Sequence, residues 1–488
     1  MTHLRHIWAD DYPAKVTPAP PWALSPNRPP LTVRSDQKRA LFVYTTRQFL
    51  NAYPDITMVE ALITDCNGIA RGKWLPVQKL STIEKQGLKL PKSALGLDVW
   101  GRDIPELAHA NGDIDGYCHL VEGSLRPLLT ERGVDQAQVI LTMSDKDGSA
   151  FMGDPRQVLN ALVGRFTEKS LKPCMAVELE FSLLPRPETN DSVGSALRDQ
   201  NSLGGNLYAL SELDYHAPLL EALRVAFETQ DLPYEGIIKE SAPSQFEINV
   251  AHSDDVMLLA DQVIRMQRTI RAVAARHGFV ASFMPKPIDD EAGNGLHVHC
   301  SLLEENGVNV FDNGEESGSD LLQYAVAGCL ELLPASMLLF APSFNAYRRF
   351  QPGNHAPTEA AWGYDNRTTA LRIPESPAAA RRIEHRVAGA DANPYLVLAA
   401  VLAGIWHGIE NKLTPPSAIE GNAWDQDIEA PKLATTMDQA IDVFRNENQL
   451  ADYLSEEFKT LFLATKQQEW DEFSKRVTEF ELETYLRM

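Results

Sequence analysis

Arg381-Arg382-Ile383-Glu384-His385-Arg386 concentrates three arginines and a glutamate in six residues. A β-strand turns alternate side chains to opposite faces. In an extended run, therefore, Arg382, Glu384 and Arg386 point into one space while Arg381 and His385 point away. Two guanidiniums around a carboxylate suit a metal held between anions. A solvated sheet face gives the same alternation on any single strand, so the weight falls on whether other segments repeat it.

Three segments do. In Met175–Phe181, Glu178 and Glu180 share one face while Val177, Leu179 and Phe181 take the other. In Gln245–Val250, Glu247 and Asn249 oppose Phe246, Ile248 and Val250. In Leu296–Leu302, His297, His299 and Ser301 oppose Val298 and Cys300. Strands that are apolar on one side and carry carboxylate, imidazole or guanidinium on the other imply a sheet with helices behind it and a polar site in front.

At 488 residues the chain exceeds what one compact core usually holds, so two domains, or one large domain with an appendage, are expected. Its 45 basic and 67 acidic residues give a formal charge of −22, which argues against general nucleic-acid binding. Cys66, Cys118, Cys174, Cys300 and Cys329 lie far apart with no CxxC pair. Neither a disulfide framework nor a thiolate zinc site is suggested, and a reducing cytoplasm fits. The N-terminus lacks the apolar core of a signal peptide. The longest strongly apolar run, Tyr395–Trp406, is too short to span a bilayer, so no membrane role is expected.

Residues 1–34 carry seven prolines and no periodic apolar pattern, which predicts an extended or disordered N-terminal arm. A short helix follows, with Ser35 or Asp36 as its cap. Residues 56–64 and 137–143 read as strands among loops rich in Gly, Asp and Pro, giving a small α+β domain over 35–147. A boundary falls near Gly148, and Asp154 followed by Pro155 opens a helix over 155–171, the start of a second domain spanning 148–488. Asp255–Arg276 is amphipathic and stops at Gly278. Asp320–Phe340 and Pro394–Leu413 are apolar enough to be core helices behind the sheet.

The acidic set Glu178, Glu180, Glu240, Glu247 and Glu384, with the imidazole of His297, is rich in oxygen and suits Mg²⁺ or Mn²⁺; the count allows two ions. The cationic set is Arg349, Arg367, Arg372, Arg382 and Arg386. Arginine forks match phosphate and carboxylate oxygens, so metals with several arginines point to a polyphosphate and an acid handled together. No Walker A sequence and no GxGxxG after a strand is present, which leaves metals and arginines to hold the phosphates.

Val177–Phe181, Lys239–Ile248, Gly293–Leu302, Asn345–Gly353, Asn366–Pro374, Ala380–Arg386 and Ala392–Tyr395, in this order, resemble the signature of glutamine synthetases, and the likeness runs from about residue 53 to the C-terminus. The resemblance implies an α+β fold: a β-grasp N-terminal domain and a catalytic domain with a curved antiparallel sheet backed by helices. It also implies rings of subunits, usually two stacked hexamers, with active sites between neighbours. Carried over position by position, Glu180, Glu240 and Glu247 surround one metal and Glu178, His297 and Glu384 another, with two or three ions per site. Arg349 and Arg386, beside Gly293, grip glutamate; Arg367 meets the moving phosphoryl group. Arg372 and Arg382 bind ATP phosphates, and His299 and Ser301 lie near the nucleotide. A carboxylate is a poor acyl donor because it must expel oxide, so the implied chemistry uses ATP to make a γ-glutamyl phosphate that an amine then attacks.

Ammonia-using members carry a Glu in the flap after the arginine motif and an Asn five residues before the first histidine. Here His355 and Ala292 stand at those places, and an imidazole is a weaker cation trap. The tyrosine loop that some bacterial members adenylylate has no counterpart in Lys412–Glu420. Thr64–Lys73 and Ala361–Thr368 instead resemble the branch that joins glutamate to putrescine, longer polyamines or other primary amines. On that likeness Asp65, from a neighbouring subunit, is the candidate to bind or deprotonate the incoming amine, with His355 sharing the role. Since Asp65 precedes Cys66-Asn67-Gly68, support of a turn is its plain structural reading. Glu235 lies outside the matching motifs. Three readings stand: a glutamate–amine ligase, an ammonia ligase, and a non-catalytic scaffold, the last disfavoured by the complete ligand set.

Overall fold

Alternation in the sequence becomes strand geometry in the computed structural model, which describes residues 45–108, 112–186, 207–351 and 356–488. The arm over 1–34, the helix start expected at Ser35 or Asp36, and His355 lie outside these residues. The first helix is described as Thr46–Ala52. It opens on a capping box in which Thr45 Oγ accepts from Gln48 N and the Gln48 side chain accepts from Thr45 N.

Among the described residues the strands form two sheets. The N-terminal sheet holds β1 (Met58–Thr64), β2 (Ala70–Pro76), β3 (Leu88–Pro91), β4 (Asp115–Leu120), β5 (Arg126–Thr130) and β6 (Gly133–Ser144). Its order is β2-β1-β6-β4-β3, with β5 also on β6, and β1 pairs with β6 in parallel while its other pairs are antiparallel. Phe49, Val59, Ile63, Leu80, Val139 and Met143 fill its core.

The larger sheet holds β7 (Leu171–Pro185), β8 (Tyr234–Lys239), β9 (Gln245–Ser253), β10 (Phe279–Ser282), β11 (Leu296–Glu304), β12 (Trp362–Tyr364), β13 (Leu371–Ile373) and β14 (Ile383–His385). The order is β12-β13-β14-β11-β7-β9-β8, with β10 also on β7. It is antiparallel apart from the β12–β13 pair. Bulges in β7 and β8 bend it.

The apolar face of this sheet is fully inside. Val177, Leu179, Phe181, Phe246, Ile248, Val250, Val298, Leu302 and Ile383 all sit in one cluster with the helices Pro155–Glu168, Val256–Arg276, Asp320–Phe340 and Pro394–Asn411. Each such side chain contributes about 1.5–3 kcal/mol on burial, and a slip of one residue would turn all of them outward, so the register of the polar face is fixed from behind. Asp320–Phe340 is long and apolar enough by composition to cross a membrane; here it is a core helix packed against Pro394–Asn411. The contact is glycine-mediated: a Cβ on Gly404 would lie 2.7 Å from Cys329 Cα, and one on Gly408 would lie 1.8 Å from the Tyr324 carbonyl oxygen.

Asp154 caps its helix through Arg156 N and also accepts from Met143 N at 2.8 Å and Thr142 Oγ at 2.9 Å, fastening the helix Pro155–Glu168 to β6. The helix Glu456–Ser474 adds a second junction. Its Lys466–Glu469 pair is buried, and Glu469 Oε1 accepts from Asn67 Nδ2 at 3.0 Å and Val99 N at 2.9 Å. The five cysteines are free thiols.

Candidate active site

Register decides which polar groups meet. Glu178 on β7 lies opposite His297 on β11 and Asn249 on β9, and Glu180 lies opposite Glu247. One strand further, His299 faces Glu384, which in turn faces Arg372. The outcome is a continuous polar strip running from Arg372 on β13 to Glu247 on β9.

Glu178 is its hub. His297 Nδ1 lies 3.0 Å from Oε2 and His299 Nε2 lies 3.0 Å from Oε1. Burial opposes the charge of Glu178, but these two hydrogen bonds hold its carboxyl well below the usual range. Arg382 Nε donates to His299 Nδ1 at 3.1 Å, so His299 carries its own proton on Nε2 and both its nitrogens are engaged. The Nε2 of His297, by contrast, comes within 3.2 Å of the place a Gly295 Cβ would occupy, on the Glu180 side.

The other carboxylates crowd one another. Glu180 accepts from Gly295 N at 2.7 Å and from Gln245 Nε2 at 3.3 Å. Glu247 takes Asn249 Nδ2 at 2.8 Å. Burial and then the charges of Glu178, Glu180 and Glu240 push Glu247 up to about 9. Burial and the charge of Glu180 push Glu240 up to about 7. Four glutamates with few cationic partners among themselves are an oxygen donor set whose repulsion a divalent cation relieves, so the residues fit the ions the sequence implies.

The clusters partition differently from the expected ligand sets. Donor atoms of Glu178, Glu247 and His297 lie within 4.8 Å of one another, as do those of Glu178, His299 and Glu384. Glu178 thus reaches both groups, because its strand neighbours His297 directly and His299 stands one pair along the same strand. Glu384 is turned toward cations instead. Arg372 Nη1 lies 2.7 Å from its Oε2, and Arg386 pairs with Oε1. Burial opposes this charge, while Arg386 holds the carboxyl below its usual range.

On the arginine side, Arg349 ends the short turn Phe344–Arg349, which Ser343 caps. It is buried and donates to the Val387 carbonyl at 3.1 Å. Gly293 makes room for it: a Cβ there would lie 2.8 Å from Arg349 Cγ and 2.3 Å from the Pro285 carbonyl oxygen. Arg386 is also buried, and its Nε lacks a hydrogen-bond partner. That orphan donor is what an arginine awaiting a substrate carboxylate presents. Arg367 stands apart, exposed on the turn between β12 and β13.

Beside the strip a cavity of about 420 Å³ is lined by His299, Ser301 and Arg382, with Glu178 at one edge and Glu235 and His252 at another. Ser301 Oγ donates to the Arg381 carbonyl at 2.9 Å. The structure thus brings His299, Ser301 and Arg382 to one cavity. Glu235, outside the matching motifs, joins them there. Gln245 was missed as well, although it sits two residues before Glu247 on the same strand face and braces Glu180, Gly293 and Asn294.

Asp65 is not an open carboxylate. It is fully buried; Oδ1 accepts from Asn67 N and Ile69 N, both at 2.9 Å, and Oδ2 accepts from Arg71 Nε at 2.8 Å. Asn393 Nδ2 closes the other side by donating to the Asp65 carbonyl at 2.8 Å. Within the chain Asp65 is a turn-forming residue, and the direct amine-binding role expected of it is not what this geometry provides. Burial lifts its carboxyl to about 6 despite Arg71.

Residues 152–485 match the family model described as glutamine synthetase, catalytic domain. Gamma-glutamylputrescine synthetase PuuA of Escherichia coli strain K12 is 38% identical, the match covering 93% of this chain and 97% of that protein. The glutamate–isopropylamine ligase of a Pseudomonas species is 30% identical over 91% of this chain and 98% of its own. Among solved structures, one titled as a GmaS/ADP complex superposes with a TM-score of 0.81 at 25% identity, covering 91% of this chain and all of the other.

Proposed function

The chain belongs to the glutamine synthetase family, and we propose that it is an ATP-dependent ligase joining the γ-carboxylate of glutamate to a primary alkyl amine such as putrescine, spermidine or spermine. The observation that carries this reading is the convergence, at the polar edge of one sheet, of mutually repelling glutamates with buried Arg349 and Arg386. Relatives named for putrescine and isopropylamine, together with Ala292 where ammonia enzymes have Asn, favour an alkyl amine over ammonium.

In this reading Arg349 and Arg386 hold the carboxylates of glutamate, with Gly293 keeping Arg349 in reach. Glu178, Glu180, Glu240, Glu247, His297 and Glu384 would hold two or three Mg²⁺ or Mn²⁺ ions, and His299 serves as a hydrogen-bond relay between Arg382 and Glu178. When bound, such ions supply charge neutralisation that lets a carboxylate approach a polyphosphate. The γ-carboxylate oxygen attacks the γ-phosphorus, the bond to ADP breaks, and Arg367 meets the charge spread over the transferring group. Arg372 and Arg382 steady the departing phosphates, and the cavity beside Ser301 takes the nucleoside. The amine then attacks the acyl carbon, phosphate leaves, and His355 accepts the surplus proton. Asp65 shapes the 65–71 turn that a neighbouring subunit offers to the amine. A cytoplasmic dodecamer of two hexameric rings belongs to the same reading.

Phosphate release with glutamate, ATP and Mg²⁺, measured against ammonium, putrescine, spermidine, spermine, ethanolamine and monoamines, tests it. An alkyl amine is expected to give the highest kcat/KM. Ammonium as best substrate would make the enzyme a glutamine synthetase in the strict sense, and silence with every amine would make it a scaffold.

A further inference from the structure

The turn that carries Arg367 is held from outside the sheet. Its neighbours Asn366 and Thr368 are half-buried, and both bond to the segment Pro416–Ala423. Asn366 Nδ2 donates to the carbonyls of Ile419 at 3.1 Å and Gly421 at 2.8 Å. Thr368 Oγ accepts from Ala423 N at 2.9 Å. Two more bonds join the same segment to β12: Ile419 N to the Trp362 carbonyl and Trp362 Nε1 to the Pro416 carbonyl, each 2.8 Å.

Inside the turn, Asn366 Oδ1 accepts from Thr368 N at 3.0 Å and Thr368 Oγ at 2.6 Å. Asp365, with φ of 45°, holds a left-handed conformation rare for a residue with a side chain. It pairs with Arg372, which bridges to Glu384. The turn is therefore fastened on one side to the ligand-bearing strand β14 and on the other to Pro416–Ala423. Arg367 projects between them at a surface concavity of about 1230 Å³.

Resting on the assignment of Arg367 to the moving phosphoryl group, we infer that Pro416–Ala423 is a strut setting the position of Arg367, and that Asn366 is the positioning residue through which it acts. An exposed arginine has many rotamers, and its value to a transition state depends on where its backbone starts. Displacing a positioning element by about 1 Å costs up to a hundredfold in rate.

Asn366→Ala and Asn366→Asp test the strut. Both variants lose the donors to Ile419 and Gly421 and so release the strut, while aspartate alone keeps the acceptor for Thr368. Each should lower kcat by roughly tenfold or more, with KM for glutamate and amine changed by less than about twofold. Each should weaken binding of ADP with aluminium fluoride and glutamate by a similar factor while ADP alone binds as before. Wild-type kcat in Asn366→Asp overturns the strut, and so does an equal loss of ADP affinity, which would mean damage to the nucleotide site at large. Arg367→Ala separates inference from premise. If it keeps the aluminium fluoride complex at full affinity, the assignment of Arg367 has failed and the strut falls with it. If it loses the complex while Asn366→Ala keeps it, the strut alone has failed.

Discussion

Two buried carboxylate groups in this molecule look alike in sequence and differ in what they can do. On the catalytic sheet, Glu180, Glu240 and Glu247 face one another, and burial plus mutual repulsion raises Glu247 to about 9 and Glu240 to about 7. In the N-terminal domain Asp65 is buried more completely, yet both its oxygens are occupied by Asn67 N, Ile69 N and Arg71. Burial does not separate a site from a support. The number of donors the protein already supplies to the carboxylate oxygens does, because anions left unsatisfied are the ones that gain from binding a cation.

The largest expected effect is on the crowded group. Glu247→Gln should lower kcat/KM by on the order of a hundredfold or more, measured by phosphate release. It should also change how stability depends on pH in chelator. The folded value of Glu247, about 9, exceeds that of an unfolded glutamate, so the fold retains the proton. That contribution to stability is complete below the unfolded carboxyl's titration and is lost as pH rises through about 9. The metal-free wild-type protein should therefore lose thermal stability on the alkaline side, and Glu247→Gln should lose less. Equal slopes in scanning calorimetry would remove the contrast with Asp65.

Next comes the cationic side of the same site. Gly293→Ala places a Cβ against Arg349 and the Pro285 carbonyl. It should raise KM for glutamate roughly tenfold while KM for ATP stays within about twofold, a split that steady-state kinetics would show.

The satisfied carboxylate should respond in the opposite currency, stability before rate. Asp65→Asn keeps acceptors for Asn67 N and Ile69 N and loses only the Arg71 ion pair, so a loss of about 1–2 kcal/mol in denaturant unfolding is expected. Turnover should stay within about threefold. Collapse of turnover with intact stability would return Asp65 to the role of base. Smallest of all, Glu235→Gln at the cavity edge should raise KM for ATP by about threefold and leave kcat alone.

How far the sequence reaches is set by period and register. Period was enough to put Glu178 with Glu180 and His297 with His299 on the polar side and to mark the amphipathic helix ending at Arg276, and capping chemistry was enough to start a helix at Asp154. Asp320–Phe340 matches its expected span, and the fold class stands. Register is a property of the sheet, not of a segment. Nothing local says that Glu178 meets His297 while His299 meets Glu384, and so which donors lie together was not legible in the separate segments. The surroundings of Asp65 were out of reach for a related reason. Its three donors come from Asn67, Ile69 and Arg71, residues whose backbone path a turn motif suggests but whose side-chain closure only the fold completes. The same holds for Glu235, which reaches the cavity through the bend of β8.

The central claim is that the sheet face activates glutamate as an acyl phosphate for attack by an alkyl amine. The most direct measurement supplies glutamate with a heavy oxygen isotope in its γ-carboxylate, ATP, Mg²⁺ and putrescine, and follows the label by mass spectrometry. The account predicts one labelled oxygen in each phosphate released, together with γ-glutamylputrescine. Unlabelled phosphate, or labelled phosphate formed faster with ammonium than with putrescine, would contradict it.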